Sequence, residues 1–163
     1  MNTITIYGEN RYEKHTKERV ACRGIIIKDG QILLSYEENT DQWFIPGGGI
    51  EENESLEECC IREVSEETGY LIEIDKIYLT INEYYKEWFF QNNYFVCKII
   101  GTTDKNLTER EIEVGLKPRW LPLEEAIAIY AKHNEYALVN EMKRGGYLRE
   151  YTALMKYKKE NKY

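Results

Sequence analysis

Three glutamates, Glu63, Glu66 and Glu67, stand at i, i+3 and i+4 within residues 46–70, PGGGIEENESLEECCIREVSEETGY. On a helix that spacing puts them on one face, within about 6 Å of each other. Like charges so placed repel and destabilise an isolated helix. A divalent cation converts that repulsion into binding. Carboxylates suit a hard, oxygen-seeking ion such as Mg2+ or Mn2+. A solvated acidic face is the plainer reading of such a run. Against it, Cys60, Ile61, Val64 and Thr68 form an apolar arc beside the acids, and Leu56 and Cys59 lie on the acids' own side. The acidic stripe therefore borders a core. Arg62 adjoins Glu63, and Glu54, eight residues earlier, is available to pair with it if the loop between them folds back.

The element that must carry these acids is well marked. Ser55 reads as an N-cap with Glu58 as its reciprocal partner, a capping box. Gly69 follows the last turn, where a left-handed residue is expected. The spacing predicts a helix over Leu56–Thr68, about 19 Å long. Before it, Gly47, Gly48 and Gly49 let the backbone approach a ligand closely and present carbonyls, or else make a plain tight turn.

Taken together, Gly48, Glu54, Arg62, Glu63, Val64, Glu66, Glu67 and Gly69 match G-x5-E-x7-R-E-U-x-E-E-x-G-U, where U is aliphatic. That pattern resembles the signature of the Nudix hydrolases. Two departures are mild: Tyr70 replaces the closing aliphatic, and Asn53 stands where glycine commonly precedes the loop glutamate. The resemblance implies an α/β/α sandwich with a mixed β-sheet between helices. It implies hydrolysis of a phosphoanhydride bond in a nucleoside diphosphate derivative: a nucleoside triphosphate, nucleotide sugar or dinucleotide. It also implies Mg2+, with Mn2+ as substitute, held by Glu63, Glu66, Glu67 and the Gly47 carbonyl. Glu63 or a loop acid would orient or deprotonate water, and Arg62 with Glu54 would brace the loop against the helix. The family often takes a further acid from beyond the helix. Here Glu113 is the first choice and Glu111 the next, with Glu109 in the same loop. ADP-ribose enzymes of the family tend to carry proline about fifteen residues past the motif, where this chain has Tyr85.

The chain has 163 residues, 42% hydrophobic and 31% charged, which suits one soluble domain over 1–163 with a real core. A net charge of −7 argues against broad attraction to nucleic acid or anionic membrane. No apolar run approaches a membrane span. The N-terminal stretch lacks the apolar region of a secretory leader, so a cytoplasmic location is expected. Cys22, Cys59, Cys60 and Cys97 form no C-x-x-C pair and read as reduced, buried thiols. His15 and His133 have no partner at ligand spacing, which disfavours zinc.

Strands are expected over 3–7, 20–28, 31–36, 43–45, 71–85, 88–100 and 116–121, with a hairpin turn at Asp29-Gly30 and another near Lys86-Glu87. Pro118 implies that the last is an edge strand. Residues 101–115 read as a polar loop. Residues 123–133 form an amphipathic helix, and 135–144 and 147–159 two further helical pieces broken at Gly145-Gly146. These pieces make a C-terminal helical extension over about 135–160, with the lysine-rich end, KYKKENKY, as a solvated tail.

Arg23 shares a strand face with Ala21, Ile25 and Ile27. It is either a strand-end arginine reaching water or a phosphate clamp. Tyr84 and Trp88 are the aromatic candidates for stacking on a nucleobase, although aromatics in strands pack for their own sake. The expected partner is a small-molecule nucleoside diphosphate derivative, with a homodimer as the assembly the resemblance suggests. Two other classes stay open. One is a ligand-binding regulator that kept the fold and lost turnover. The other is an isoprenoid diphosphate isomerase, for which Cys22 or Cys97 is a candidate proton donor.

Overall fold

The computed structural model describes residues 2–161; Met1 and the last two residues of the lysine-rich end lie outside the described residues. The chain runs β1 (Thr3–Tyr7), β2 (Lys17–Ile25), β3 (Ile27–Lys28), β4 (Gln31–Glu37), β5 (Gln42–Phe44) and β6 (Gly47–Gly49). Then come α1 (Leu56–Thr68), β7 (Tyr70–Tyr85), β8 (Trp88–Thr102), α2 (Glu109–Glu113) and β9 (Leu116–Pro122). It ends with α3 (Leu123–Tyr130), a 3-10 turn over Ala131–Tyr136, and α4 (Glu141–Asn161).

A mixed five-stranded sheet has the order β1-β7-β8-β2-β6. β1 lies parallel to β7 and β2 parallel to β8, while the β7–β8 hairpin and the β2–β6 pair are antiparallel. In a second sheet β4 sits between β3 and β5 and also pairs with β9, all antiparallel. β9 is an edge, so Pro118 costs the ladder little. Asp29 (φ 53°) and Gly30 (φ 77°) make the two-residue turn into β4, as the Asp-Gly pair leads one to expect.

Alternation along the strands builds two cores on opposite faces. Ile25, Ile32, Leu34, Ile45 and Tyr94 point toward α3 and α4. Their neighbours Ile26, Leu33 and Phe95, with Cys22 and Cys97, point toward Cys59, Cys60 and Val64 of α1. A period of two thus sends successive residues to different helical layers. The result is the α/β/α sandwich expected from the sequence.

Three local expectations need correction. Residues 47–49 form a short strand on β2 rather than a plain turn. The 101–115 stretch is not all loop, because Thr108 and Glu111 form a capping box that starts α2. Gly145-Gly146 does not break the C-terminal helix: α4 runs through both. A Cβ at residue 145 would collide with the Tyr85 hydroxyl, so glycine there serves close packing of helix on strand. Among the described residues, no helix is long and apolar enough to cross a membrane.

Candidate active site

Helix α1 has the predicted bounds and the predicted ends. Ser55 Oγ accepts from the Glu58 amide at 3.1 Å, Glu58 accepts from the Ser55 amide at 3.1 Å, and Gly69 is left-handed at φ 77°. The helix packs on β2 and β6, which turns its acidic stripe toward a cleft of about 690 Å³. Glu63, Glu66 and Glu67 all line that cleft, as do Gly47, Arg62 and Arg23.

Arg62 ties the site together. Its Nε and Nη2 donate to the two oxygens of Glu54 at 2.6 and 2.9 Å, a bidentate pair across the folded-back loop. Nη1 donates to Glu63 at 2.8 Å and to Glu66 at 3.2 Å, and Nη2 also donates to the Gly49 carbonyl at 3.0 Å. The Arg62 guanidinium holds the Glu54 carboxyl down at about 2.

Glu67 has a different setting. It is buried, and its Oε2 accepts from Ser35 Oγ at 3.0 Å and the Gly47 amide at 3.2 Å. Burial, then repulsion from Glu111 and Glu63, pushes its pKa up to about 8. Burial likewise raises Glu63, partly opposed by Arg62. Space around Glu63 is tight: a Cβ on residue 48 would sit 2.5 Å from its carboxyl carbon, so only glycine admits the side chain there.

As they stand, among the described residues no three acids close around a single point. Glu63 and Glu66 share Arg62, while Glu67 takes Ser35 and Gly47. The donor set nevertheless fits a hard divalent ion. It is all oxygen, it faces one cleft, and its deepest member is a buried carboxyl with no direct cationic partner among the described residues.

Opposite the acids, Arg23 donates to Asn92 Oδ1 and to the Ile45 carbonyl, both at 3.0 Å. Both acceptors are neutral, so among the described residues Arg23 reaches the cleft with no ion-pair partner, as a phosphate clamp requires. Its orientation is relayed from α4. Asn92 Nδ2 donates to Glu83 at 2.9 Å, and Arg149 Nη1 donates to the same Glu83 oxygen at 3.3 Å. Arg149 Nε donates to Glu150 and to the Tyr94 hydroxyl, both at 3.0 Å. Tyr94 in turn hydrogen-bonds Glu150, which also accepts from the Ile45 amide at 2.6 Å.

Tyr84, Trp88 and Glu113, all sequence choices for the site, do not line the acidic cleft. Tyr84 stacks on Tyr7, with centroids 5.5 Å apart, and touches Phe89 and His15 instead. Strand alternation gives the cleft its neighbours Glu83 and Tyr85. Glu113 does not line the cleft, and its backbone carbonyl accepts from Asn39. Glu111, the second choice, lines the cleft, because two residues along a helix are about 200° apart. Glu109 does not line it either. Trp88 lines an adjoining cavity rather than the acidic cleft. Cys22 and Cys97 are buried in the core behind the sheet, and the hydrogen bond that the Cys22 thiol shares with Cys59, then burial, pushes that thiol up. Neither is placed as a proton donor.

Ser35, Asn92, Glu83, Arg149 and Arg19 belong to the site and were not read from the sequence. Arg19 was findable, since it shares strand parity with Arg23. The others arrive by pairings that no local pattern encodes.

The NUDIX domain profile matches residues 17–141. Nudix hydrolase 2 of Arabidopsis thaliana is 31% identical over 121 residues, covering 69% of this chain; the chain spans 42% of that protein's length. The mouse diphosphoinositol polyphosphate phosphohydrolase 3-alpha is 28% identical over 136 residues, covering 80% of each. Among solved structures, a NUDIX hydrolase from Nitrosomonas europaea superposes with a TM-score of 0.57 at 21% identity, covering 82% of this chain and 90% of that one.

Proposed function

The chain belongs to the Nudix family, and from that premise we propose that it is a divalent-metal-dependent pyrophosphohydrolase acting on a nucleoside diphosphate derivative. The same reading takes residues 1–163 as one domain, α4 included, and expects a homodimer.

One observation carries the proposal. Three carboxylates of α1 and an unpaired arginine of β2 face each other across a single cleft. In the hydrolysis, water attacks one phosphorus of the anhydride. Its hydroxyl joins that phosphorus as the bridging P–O bond breaks, and its remaining proton leaves to solvent or to a base. Glu63, Glu66, Glu67 and Gly47 would hold Mg2+ or Mn2+. Such an ion supplies charge neutralisation on the phosphates and a more acidic bound water.

The chain's own groups do the rest. Arg23 grips a non-bridging phosphate oxygen and gains strength as charge builds there. Glu63, whose pKa burial raises, would accept a proton from water. Glu111 is the acid across the cleft that completes the negative shell. Arg62 and Glu54 fix the loop and the helix so that the acids do not drift.

The test is phosphate and nucleotide release from a panel of nucleoside triphosphates, nucleotide sugars and dinucleoside polyphosphates, with and without Mg2+. Wild-type protein is expected to cleave at least one of them only with metal. Glu67→Gln is expected to fold normally and lose at least a hundredfold in turnover, the scale of removing one positioned charged group. Full turnover by that variant would remove the assigned site.

A further inference from the structure

β1 is the outer strand of the five-stranded sheet, and among the described residues it pairs with β7 alone. Its two ends show which backbone groups that pairing uses. The Asn2 carbonyl accepts from the Thr80 amide at 2.9 Å, and the Gly8 amide donates to the Tyr84 carbonyl at 2.8 Å. Backbone groups turn to alternate sides along a strand, so Asn2, Ile4, Ile6 and Gly8 face β7. Thr3, Thr5 and Tyr7 therefore present their amides and carbonyls outward, where no strand receives them among the described residues.

Exposed edges are ordinarily guarded by charge, proline or a bulge. The β9 edge is guarded in this way, with Lys117, Pro118 and Arg119 in succession. At β6, Arg62 Nη2 takes the Gly49 carbonyl. β1 has none of these devices. Residues 2–8, NTITIYG, carry no charge and no proline, although the chain has a net charge of −7. The register on β7 runs unbroken from Thr3 to Tyr7. β-Branched and aromatic side chains fill the strand, a composition that favours pairing.

The same pattern says which strand fits. Turned antiparallel about Thr5, a second β1 sets Thr5 against Thr5, Ile4 against Ile6, and Thr3 against Tyr7. The outward-facing residues then meet one another, and each such pair exchanges both of its hydrogen bonds. Ile4 and Ile6, half-buried beside the α3–α4 core, meet across the join and extend that core. Tyr7, 60% exposed and stacked on Tyr84, gains a neighbour in Thr3 of the second copy. A two-fold axis through Thr5 makes the join isologous, so assembly closes at two chains. Resting on the homodimer expected above, we infer that β1 is its interface: two chains pair β1 to β1, antiparallel and centred on Thr5, to make one continuous sheet. β1 does not line the acidic cleft, so both clefts stay open.

The test is sedimentation velocity from roughly 1 to 500 µM, a range suited to the small area of one edge pairing. Wild-type mass is expected to climb from 19.4 kDa toward twice that value. Thr5→Pro deletes the amide at the centre of the join, and Thr5→Lys sets two cations face to face; each raises the dimer Kd at least about tenfold. Thr5→Glu alone does the same. An equimolar mixture of Thr5→Lys and Thr5→Glu restores the dimer, because unlike charges then oppose across the axis. Amide exchange gives a second readout. With rising concentration Thr3, Thr5 and Tyr7 become protected, while Ile4 and Ile6, already bonded to β7, change little. The inference falls if the wild type stays monomeric, if the variants dimerise as the wild type does, or if the mixture stays monomeric. Circular dichroism checks folding, and Thr5→Lys keeps every bond of β1 to β7, so the test stands if Thr5→Pro misfolds. A dimer that these variants leave intact overturns this interface and spares the homodimer itself, whereas a monomeric wild type overturns both. Metal-dependent hydrolysis per chain is expected to persist in each Thr5 variant, so the enzymatic reading is judged separately.

Discussion

Among single residues, Glu67 is where function and stability oppose each other most directly. Its folded pKa, about 8, lies above the ordinary 4.5 because burial disfavours its charge. A raised folded pKa contributes stability that is complete below the unfolded value and lost as pH climbs through the folded one. The metal-free protein is therefore expected to melt at lower temperature at pH 8.5 than at pH 6. Glu67→Gln should flatten much of that slope, because a neutral amide oxygen still accepts from Ser35 and Gly47. Melting curves of both proteins in chelator across that range check it. An unchanged slope in the variant would mean that another group, Glu63 being the nearest, carries the effect. Most of the acidic site was legible at this scale. Fixed spacing on a capped helix forces Glu63, Glu66 and Glu67 to one side, and the Glu54–Arg62 pair follows once the loop folds back. Tyr84 was misassigned because choosing between adjacent strand residues needs the register of the hairpin, which depends on bulges between Leu71 and Leu79.

Among the elements, α4 carries more than its position at the end of the chain suggests. It supplies Arg149 and Glu150, both buried, to a network that reaches Arg23 through Glu83 and Asn92. Removing one partner from such a network leaves the others desolvated and unpaired. Glu150→Ala is expected to destabilise the fold by about 3–5 kcal/mol. It leaves Arg149 with Glu83 and the Tyr94 hydroxyl and takes the acceptor from the Ile45 amide. Urea unfolding measures this, and a loss below about 1 kcal/mol would show that the network relaxes around the gap. The sequence did not reveal the role of α4, because its pairings span roughly 55–105 residues. Two glycines in a row also suggested a break. The close approach of Tyr85 to Gly145 is a tertiary demand, and local propensity yields to it.

For the molecule as a whole, the two cores lie on opposite faces of the strand layer, each closed by its own helices. Class and layering followed from strand periodicity around a central helix, whereas the shape of the cleft came from how β2, β8 and α4 meet. Opposed charges facing that cleft make ligand and metal binding cooperative with folding. Mg2+ should raise the melting temperature in a concentration-dependent way, by an amount equivalent to about 2.7 kcal/mol at a hundred times its Kd. Differential scanning calorimetry over a Mg2+ series checks this, with no shift at any concentration as the adverse result.

The five hydrogen bonds that the Arg62 guanidinium makes to oxygen acceptors among the described residues have a consequence for how the protein is born and stored. Its guanidinium serves as a built-in counter-ion, so two of the acids are already quieted when no metal is at hand. Unlike small domains that collapse only around their ion, this one should leave the ribosome, mature and survive chelation in native shape, waiting to be charged.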